Sequence, residues 1–333
     1  MGASLREVAE HAGVSVRTVS NVVNGFRYVA DETRARVQAS IDELGYRPNM
    51  AARSLRRGRT GLVALVIPEV DSPYFAELAA RTVRIAEARG LTVLIDQTDG
   101  DAERERRLLH GQRSQLVDGV LFNPWAVSPE ELAARTDPVP LVLLGEHDST
   151  AAFDHGAFDH VAIDNIAAAR AATAHLLASG RRRVAALGVQ PQVANATARR
   201  RLRGYREALA AAGRTPVPEL EVAVETLHRA DGHRAMHGLL DLAEPPDAVF
   251  CFTDELALGA LRAAADRGVA VPDDLALVGF DDIEDGRFSV PALTTISPDK
   301  HAIAELALDC LTGESRTPRA IVAPHELIVR GTS

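Results

Sequence analysis

Val16, Arg17, Ser20 and Asn21 fall on one side of a helical stretch whose Val19, Val22 and Val23 fall on the other. Guanidinium, amide and hydroxyl groups on one short polar face suit hydrogen bonding to base edges and phosphate oxygens. Ahead of that face, Leu5, Val8, Ala9 and Ala12 share one side of an earlier helix. Gly13 then breaks the chain, Val14 plugs the bend and Ser15 can cap the second helix. Two short helices joined this way form a helix-turn-helix, whose second helix enters a DNA major groove by its N-terminal residues.

Charge supports this reading once its distribution is considered. The chain carries −9 overall, which alone argues against nucleic acid. Ten arginines against six acidic residues leave residues 1–60 at +4 and the remainder at −13. A basic head on an acidic body suits a protein that touches phosphate with one end only.

Elements that must position these groups follow along the chain. A third helix runs from about Asp31 to Leu44, with Val37, Ile41 and Leu44 inward and Gly45 as its stop. Pro48 opens a basic stretch to Arg57 that is too short to be a stable helix alone. Beyond Gly61, apolar runs such as GLVALVIP, LTVLID, PLVLLG, RVAALG, DAVFCF and LALVGF alternate with amphipathic helices such as 75–89 and 167–178. Such runs predict parallel sheets covered on both faces, in two units of the same architecture. No GxGxxG follows the first strand and no GxxxxGK[ST] occurs, so no nucleotide cofactor of the glycine-loop type is expected. A ligand of such sheets sits at the carboxyl ends of the strands, here in a cleft between two facing sheets.

Length predicts about two domains, and composition is that of an ordinary soluble protein with 46% hydrophobic and 25% charged residues. No apolar run spans a bilayer and no secretory leader follows Met1, so a cytoplasmic protein without a membrane partner is expected. Cys251 and Cys310 are far apart and read as reduced core thiols. His233 and His237 lie four apart, but no glutamate completes an HExxH motif, so they read as a solvated helix face. The His147, Asp148, Asp154, His155, Asp159 and His160 loop reads as polar loop, and no metal is expected. Asp281 and Asp282 end a strand and read as cleft rim or turn. No nucleophile elbow or catalytic acid pair stands out, so an enzyme is not expected.

The stretches LREVAEHAGVSVRTVSNVVNG, ETRARVQASIDELGYRPNMAARSLRRGRTGLVALVIP, VAIDN, RRRLRGY, TDELALGAL, VPDDLALVGFDD, PALTTI and HELIVRGT stand in the order of one family. By these motifs the chain resembles the LacI/GalR transcription regulators essentially end to end. The resemblance implies an all-α helix-turn-helix head over about 1–47, a hinge helix and linker over 48–60, and an α/β body over 61–333. The body would be two doubly wound parallel-sheet lobes of periplasmic-binding-protein type: about 61–160 with 293–319, and 161–292 with 320–331. It implies a homodimer on a near-palindromic operator, and the absence of a leucine-heptad tail after HELIVRGTS predicts a dimer rather than a tetramer.

For DNA, the resemblance implicates Ser4, Ser15, Val16, Arg17, Thr18, Ser20, Asn21, Asn24 and Tyr28 in the head. Arg17 can hold guanine in a bidentate pair worth about 1–3 kcal/mol of discrimination, and Val16 can pack on a thymine methyl. Asn21 departs from the usual Arg or His. In the hinge it implicates Asn49, Ala52, Arg53, Leu55 and Arg56, with Leu55 the wedge into the minor groove.

For the effector it implicates Tyr74, Phe75, Trp125, Glu146, Asn195, Thr197, Arg201, Leu227 and Asp254. Leu227 stands where an aromatic is frequent, and Trp125, the only tryptophan, can take over stacking. Gly145, with Glu146 beside it, stands where the family has an acidic contact. Arg201 and Asp254 suit a polyhydroxylated ligand, because one donates in a fixed fork and the other accepts from hydroxyls. The expected function is a ligand-responsive repressor sensing a small molecule, a sugar above all. The alternative is an activator or global regulator controlled by a partner protein or a non-sugar ligand such as a nucleoside. A transport solute-binding protein would not need Ser4–Arg59.

Overall fold

The computed structural model describes residues 3–47, 59–111, 116–145, 158–191, 196–313 and 317–333, with the side chain of residue 129 excepted. The hinge residues Asn49, Ala52, Arg53, Leu55 and Arg56, and the effector residues Glu146 and Asn195, lie outside them. Contacts divide the chain into Met1–Thr60 and Gly61–Ser333.

In the head, α1 spans Leu5–Ala12, α2 Val16–Val23 and α3 Asp31–Glu43. Val8, Ala9, Ala12, Val19, Val22 and Val37 form its core, with Val14, Ile41 and Leu44 packed against it. A capping box starts α1: Glu7 N donates to Ser4 Oγ at 3.3 Å and Ser4 N to Glu7 Oε2 at 2.6 Å. Gly13 ends it in the left-handed region at φ 63°, which costs glycine no Cβ clash.

In the body, β1 (Leu62–Ile67), α4 (Pro73–Ala88), β2 (Thr92–Gln97), α5 (Ala102–Leu109), β3 (Gly119–Phe122), α6 (Pro129–Ala133), β4 (Leu141–Leu144) and β5 (Asp159–Ala162) build the first lobe. The second lobe runs through α7 (Asn165–Ala178), β6 (Val184–Val189), α8 (Ala196–Ala211), β7 (Glu221–Ala223), α9 (Arg229–Leu240), β8 (Ala248–Cys251), α10 (Asp254–Asp266), β9 (Ala276–Phe280) and α11 (Glu284–Phe288). Then come β10 (Thr294–Pro298), α12 (Lys300–Thr312), β11 (Ala320–Val322) and β12 (His325–Ile328).

The sheet orders are β11-β5-β4-β3-β1-β2 and β12-β10-β9-β8-β6-β7. All pairings are parallel except β10 with β12. Both sheets therefore carry the same doubly wound order about a switch point beside the first strand of each lobe. β4 and β8 are buried along their whole length, as continuous apolar runs between two helix layers must be.

Two lobe boundaries differ from expectation. β10, expected in the first lobe, pairs with β9 through Thr294–Ile296 against Val278–Phe280. β11, expected in the second, pairs with β5 through Ala320–Val322 against His160–Ala162. The chain thus crosses between lobes after β5, after β10 and after β11. Short apolar strands do not name their partners, so these exchanges could not be read from periodicity. Among the described residues, no helix is long and apolar enough to cross a membrane.

Candidate functional site

The head presents its polar face as its helix starts dictate. Ser15 caps α2, accepting from Thr18 N at 3.1 Å and bonding Thr18 Oγ1 at 2.9 Å. Asn24 Nδ2 donates to Ser20 O at 2.7 Å and to Ser20 Oγ at 3.3 Å. Ser4, Ser15, Thr18, Ser20 and Asn24 therefore first order helix ends. Val16 is 44% exposed, Arg17 is exposed and Asn21 half-buried. Tyr28 is 72% exposed and lies under the Arg27 guanidinium, 4.7 Å from its ring centroid. The face thus sets an uncapped arginine and an apolar methyl pair at the start of α2, the end that enters a groove.

In the body a cleft of about 940 Å³, its open mouth included, lies between the carboxyl ends of the two sheets. From the first lobe it takes Glu69 and Ser72 after β1, Tyr74 and Phe75 on α4, and Asn123 and Trp125 after β3. From the second it takes Asn165, Thr197, Arg201, Leu227, His228, Glu255 and Asp281.

Arg201 is 7% exposed and projects from α8. Its Nε donates to Asn165 Oδ1 at 2.8 Å, its Nη1 to the Phe252 carbonyl, and its Cζ lies 3.4 Å from the Phe280 ring centroid. Its Nη2 stands 3.7 Å from Asp281 Oδ1. Asp281 and Asp282 follow β9 with φ 113° and 46°, left-handed values that cost a non-glycine residue energy. That turn sends the two neighbouring carboxylates apart. Asp281 faces the cleft, and burial pushes its carboxyl up to about 7 against the pull of Arg201 and Lys300. Asp282 is also buried, but Arg330 at 2.6 Å, Arg287 at 2.7 Å and Ser297 at 3.0 Å hold its carboxyl below the usual range.

Asp254, expected to touch the effector, does not line the cleft. It is 0% exposed, accepting from Ile283 N at 2.9 Å and bonded to Thr295 Oγ1 at 2.6 Å. Gly279 leaves it room, since a Cβ there would stand 2.1 Å from Asp254 Oδ1. The acidic residue that faces Arg201 is Asp281, for which the sequence predicts a place on the cleft rim or in a turn. Asn123, Asn165, Glu69, Glu255 and His228 were missed as cleft residues. VAIDN contains Asn165, and its position at the end of β5 was the signal that could have found it.

Trp125 is half-buried, its ring centroid 6.0 Å from that of Phe75, while Tyr74 and Phe75 meet edge to face at 5.2 Å. Its loop is held by Glu105, a fully buried carboxylate on α5. Glu105 accepts from Trp125 N and Ala126 N, each at 2.8 Å, and from Val127 N at 2.9 Å. Glu105→Gln turns one acceptor oxygen into a donor facing a backbone N–H, at a cost of about 1–3 kcal/mol. The expected result is a lower melting temperature and weaker ligand affinity, checked by calorimetry together with Trp125 fluorescence.

Polar ties join the lobes. Glu77 on α4 accepts from Glu284 N at 3.1 Å and from Lys300 Nζ at 2.8 Å, and Lys300, the only lysine of the chain, also donates to Asp282 O at 3.1 Å. At the cleft mouth His228 of the second lobe stands 3.3 Å from Glu69 of the first and 3.0 Å from Glu255. Burial works against the charge on His228, but the two carboxylates outweigh it and raise its pKa. Burial also raises Glu69, so Glu255, at the shorter distance, is the firmer partner. A raised histidine contributes fully below its ordinary value near about 6.5 and is lost as pH rises through the raised value. The tie between lobes should therefore weaken above neutral pH. Small-angle scattering across that range should show opening in the parent and no pH dependence in His228→Gln.

Comparisons with known proteins agree with this geometry. The family model "Bacterial regulatory proteins, lacI family" matches residues 4–49, and "Periplasmic binding protein-like domain" matches 173–333. The HTH-type transcriptional repressor PurR of Pectobacterium carotovorum subsp. carotovorum (strain PC1) is 34% identical over 335 residues, covering 98% of this chain and 96% of that protein. A structure described as the transcriptional regulator CelR-cellobiose complex is 33% identical with TM-score 0.70, covering 99% of this chain and 100% of that one. The Lac repressor dimer bound to operator and the anti-inducer ONPF is 26% identical with TM-score 0.84, covering 100% and 99%. A helix-turn-helix head with a two-lobed binding body defines a ligand-responsive, DNA-binding transcriptional repressor. The chain belongs to the LacI family of bacterial regulatory proteins.

Proposed function

We propose that this repressor acts as a cytoplasmic homodimer on a near-palindromic operator, without catalysing a reaction, and that its effector is a neutral sugar. The observation that carries the effector class is the charge of the cleft. Glu69, Glu255 and Asp281 face it against Arg201 and His228, and both cations are already engaged by protein groups. An anionic ligand would meet surplus negative charge in a partly dry site, whereas hydroxyls can donate to carboxylates and accept from Arg201. The Tyr74, Phe75 and Trp125 rings offer apolar faces to the C–H side of a pyranose. The structurally similar regulator described with cellobiose supports this reading.

Effector occupancy alters the lobe arrangement, which in a dimer alters the spacing of the two hinge segments. Control requires the ligand to favour one arrangement over the other. Calorimetric titration of the full chain with cellobiose, glucose 6-phosphate and adenosine tests the class. Binding of cellobiose without glucose 6-phosphate is expected. Preference for the phosphorylated sugar contradicts the charge argument, and preference for adenosine moves the effector to a stacked base in the same aromatic slot.

A further inference from the structure

The Cβ-free surfaces of Gly232 and Gly259 let α9 and α10 approach to backbone contact. A Cβ on Gly259 would stand 2.0 Å from Arg229 O, and one on Gly232 2.2 Å from Leu256 O. That approach brings Asp266, the last residue of α10, to His233 and His237, one helical turn apart on α9. The sequence alone offers only the histidine pair; the third group comes from the neighbouring helix.

His233 Nε2 and His237 Nε2 are 3.3 Å apart, and His233 Nε2 lies 2.9 Å from Asp266 Oδ2. One ligand atom from each residue lies within 4.8 Å of the other two. With bonds of about 2.0–2.1 Å, two ligands on a tetrahedral zinc ion stand about 3.4 Å apart. The histidine nitrogens already have that separation. Protons alone serve the three atoms poorly. If His233 Nε2–H donates to Asp266, His237 Nε2 faces a proton already in use. If His237 Nε2–H donates to His233, Asp266 Oδ2 faces a nitrogen lone pair. A divalent cation satisfies all three at once. Arg262 Nε binds the other carboxylate oxygen, Asp266 Oδ1, at 2.7 Å, which fixes the orientation of Oδ2 as an outer-shell partner does. The half-buried histidines and exposed aspartate leave a fourth position open to water.

We propose that His233, His237 and Asp266 form a binding site for a divalent transition-metal ion of zinc-like preference, cross-linking α9 to α10 in the second lobe. Imidazole and carboxylate donors suit zinc in tetrahedral geometry, and no atom of the effector cleft is needed. Binding to the folded chain alone stabilises it by mass action.

The test uses the untagged full chain, stripped with chelator and titrated with Zn²⁺ against a chromophoric competitor, with thermal unfolding in parallel. One strong site per chain and a zinc-dependent rise in melting temperature are expected. His233→Ala and His237→Ala should each weaken that site at least about tenfold and remove the thermal shift. His301→Ala, on the exposed face of α12, should leave both unchanged. Co²⁺ should give the intense visible bands of a four-coordinate ion. Zinc affinity unchanged in both α9 variants, or no saturable site, or only the pale spectrum of aqueous Co²⁺, would overturn the proposal.

Discussion

Arg201→Ala is expected to weaken effector binding by at least about 100-fold while leaving operator binding in place. Two charge-assisted hydrogen bonds to a ligand contribute about 3 kcal/mol, and about 1.4 kcal/mol corresponds to tenfold in affinity. The variant also leaves buried Asp281 without its guanidinium at 3.7 Å and strips a donor from Asn165 Oδ1. Breaking a buried pair costs about 3–5 kcal/mol of stability, so the melting temperature should fall by roughly 10 °C. Calorimetry separates the two effects: if the variant melts lower but binds cellobiose as the parent does, Arg201 is only a strut. The head is a unit of its own, so its operator contacts should survive in either case.

Asp254 and Asp281 should respond in opposite ways to the same substitution. Burial, with the nearby Asp281 charge, raises Asp254 well above the carboxylate range. Thr295 Oγ1 donates to its Oδ1 at 2.6 Å and also lies 3.2 Å from Ile296 O, to which its hydrogen can turn. An amide keeps both contacts, its oxygen accepting from Ile283 N and its nitrogen donating to Thr295 Oγ1 once that hydroxyl turns to Ile296 O. Asp254→Asn should therefore fold and bind effector normally. Asp254→Ala orphans the buried Ile283 N–H and should cost about 1–3 kcal/mol. A raised carboxyl contributes stability that is present below its ordinary value near about 3.9 and lost as pH rises through the raised one. Asp254→Asn should thus gain on the parent as pH rises above the ordinary carboxylate range, visible in melting curves against pH. Asp281→Asn removes an acceptor from the cleft itself and should weaken the effector by at least about tenfold. If it is Asp254→Asn that loses the effector response, the placement of Asp254 behind the wall is wrong.

The head was legible because its signals are local. Ser4 with Glu7, Gly13, Ser15 and the valine spacing each act within one turn of helix, and the structure shows the three helices at the expected places. The strand cores of the body were legible for the same reason. What periodicity could not supply was pairing between distant segments. β10 and β11 exchange lobes, and Glu105 reaches the Trp125 loop from 20 residues away. Asp254 and Asp281 illustrate the limit most sharply. Both are acidic residues just beyond a strand end, and only the left-handed turn at Asp281 and Asp282 decides which carboxylate enters the cleft. The Asp266 neighbour of His233 was hidden likewise, because helix contact through Gly232 and Gly259 is invisible to spacing along one helix.

The most direct test is operator affinity as a function of effector. A duplex selected from a random library with the full chain is titrated by fluorescence anisotropy, with and without saturating cellobiose, for the parent and Arg201→Ala. A change of at least about fivefold, the lower end of ordinary allosteric coupling, is expected in the parent and none in the variant. An effector shown by calorimetry to fill the parent's cleft while operator affinity stays the same would contradict it.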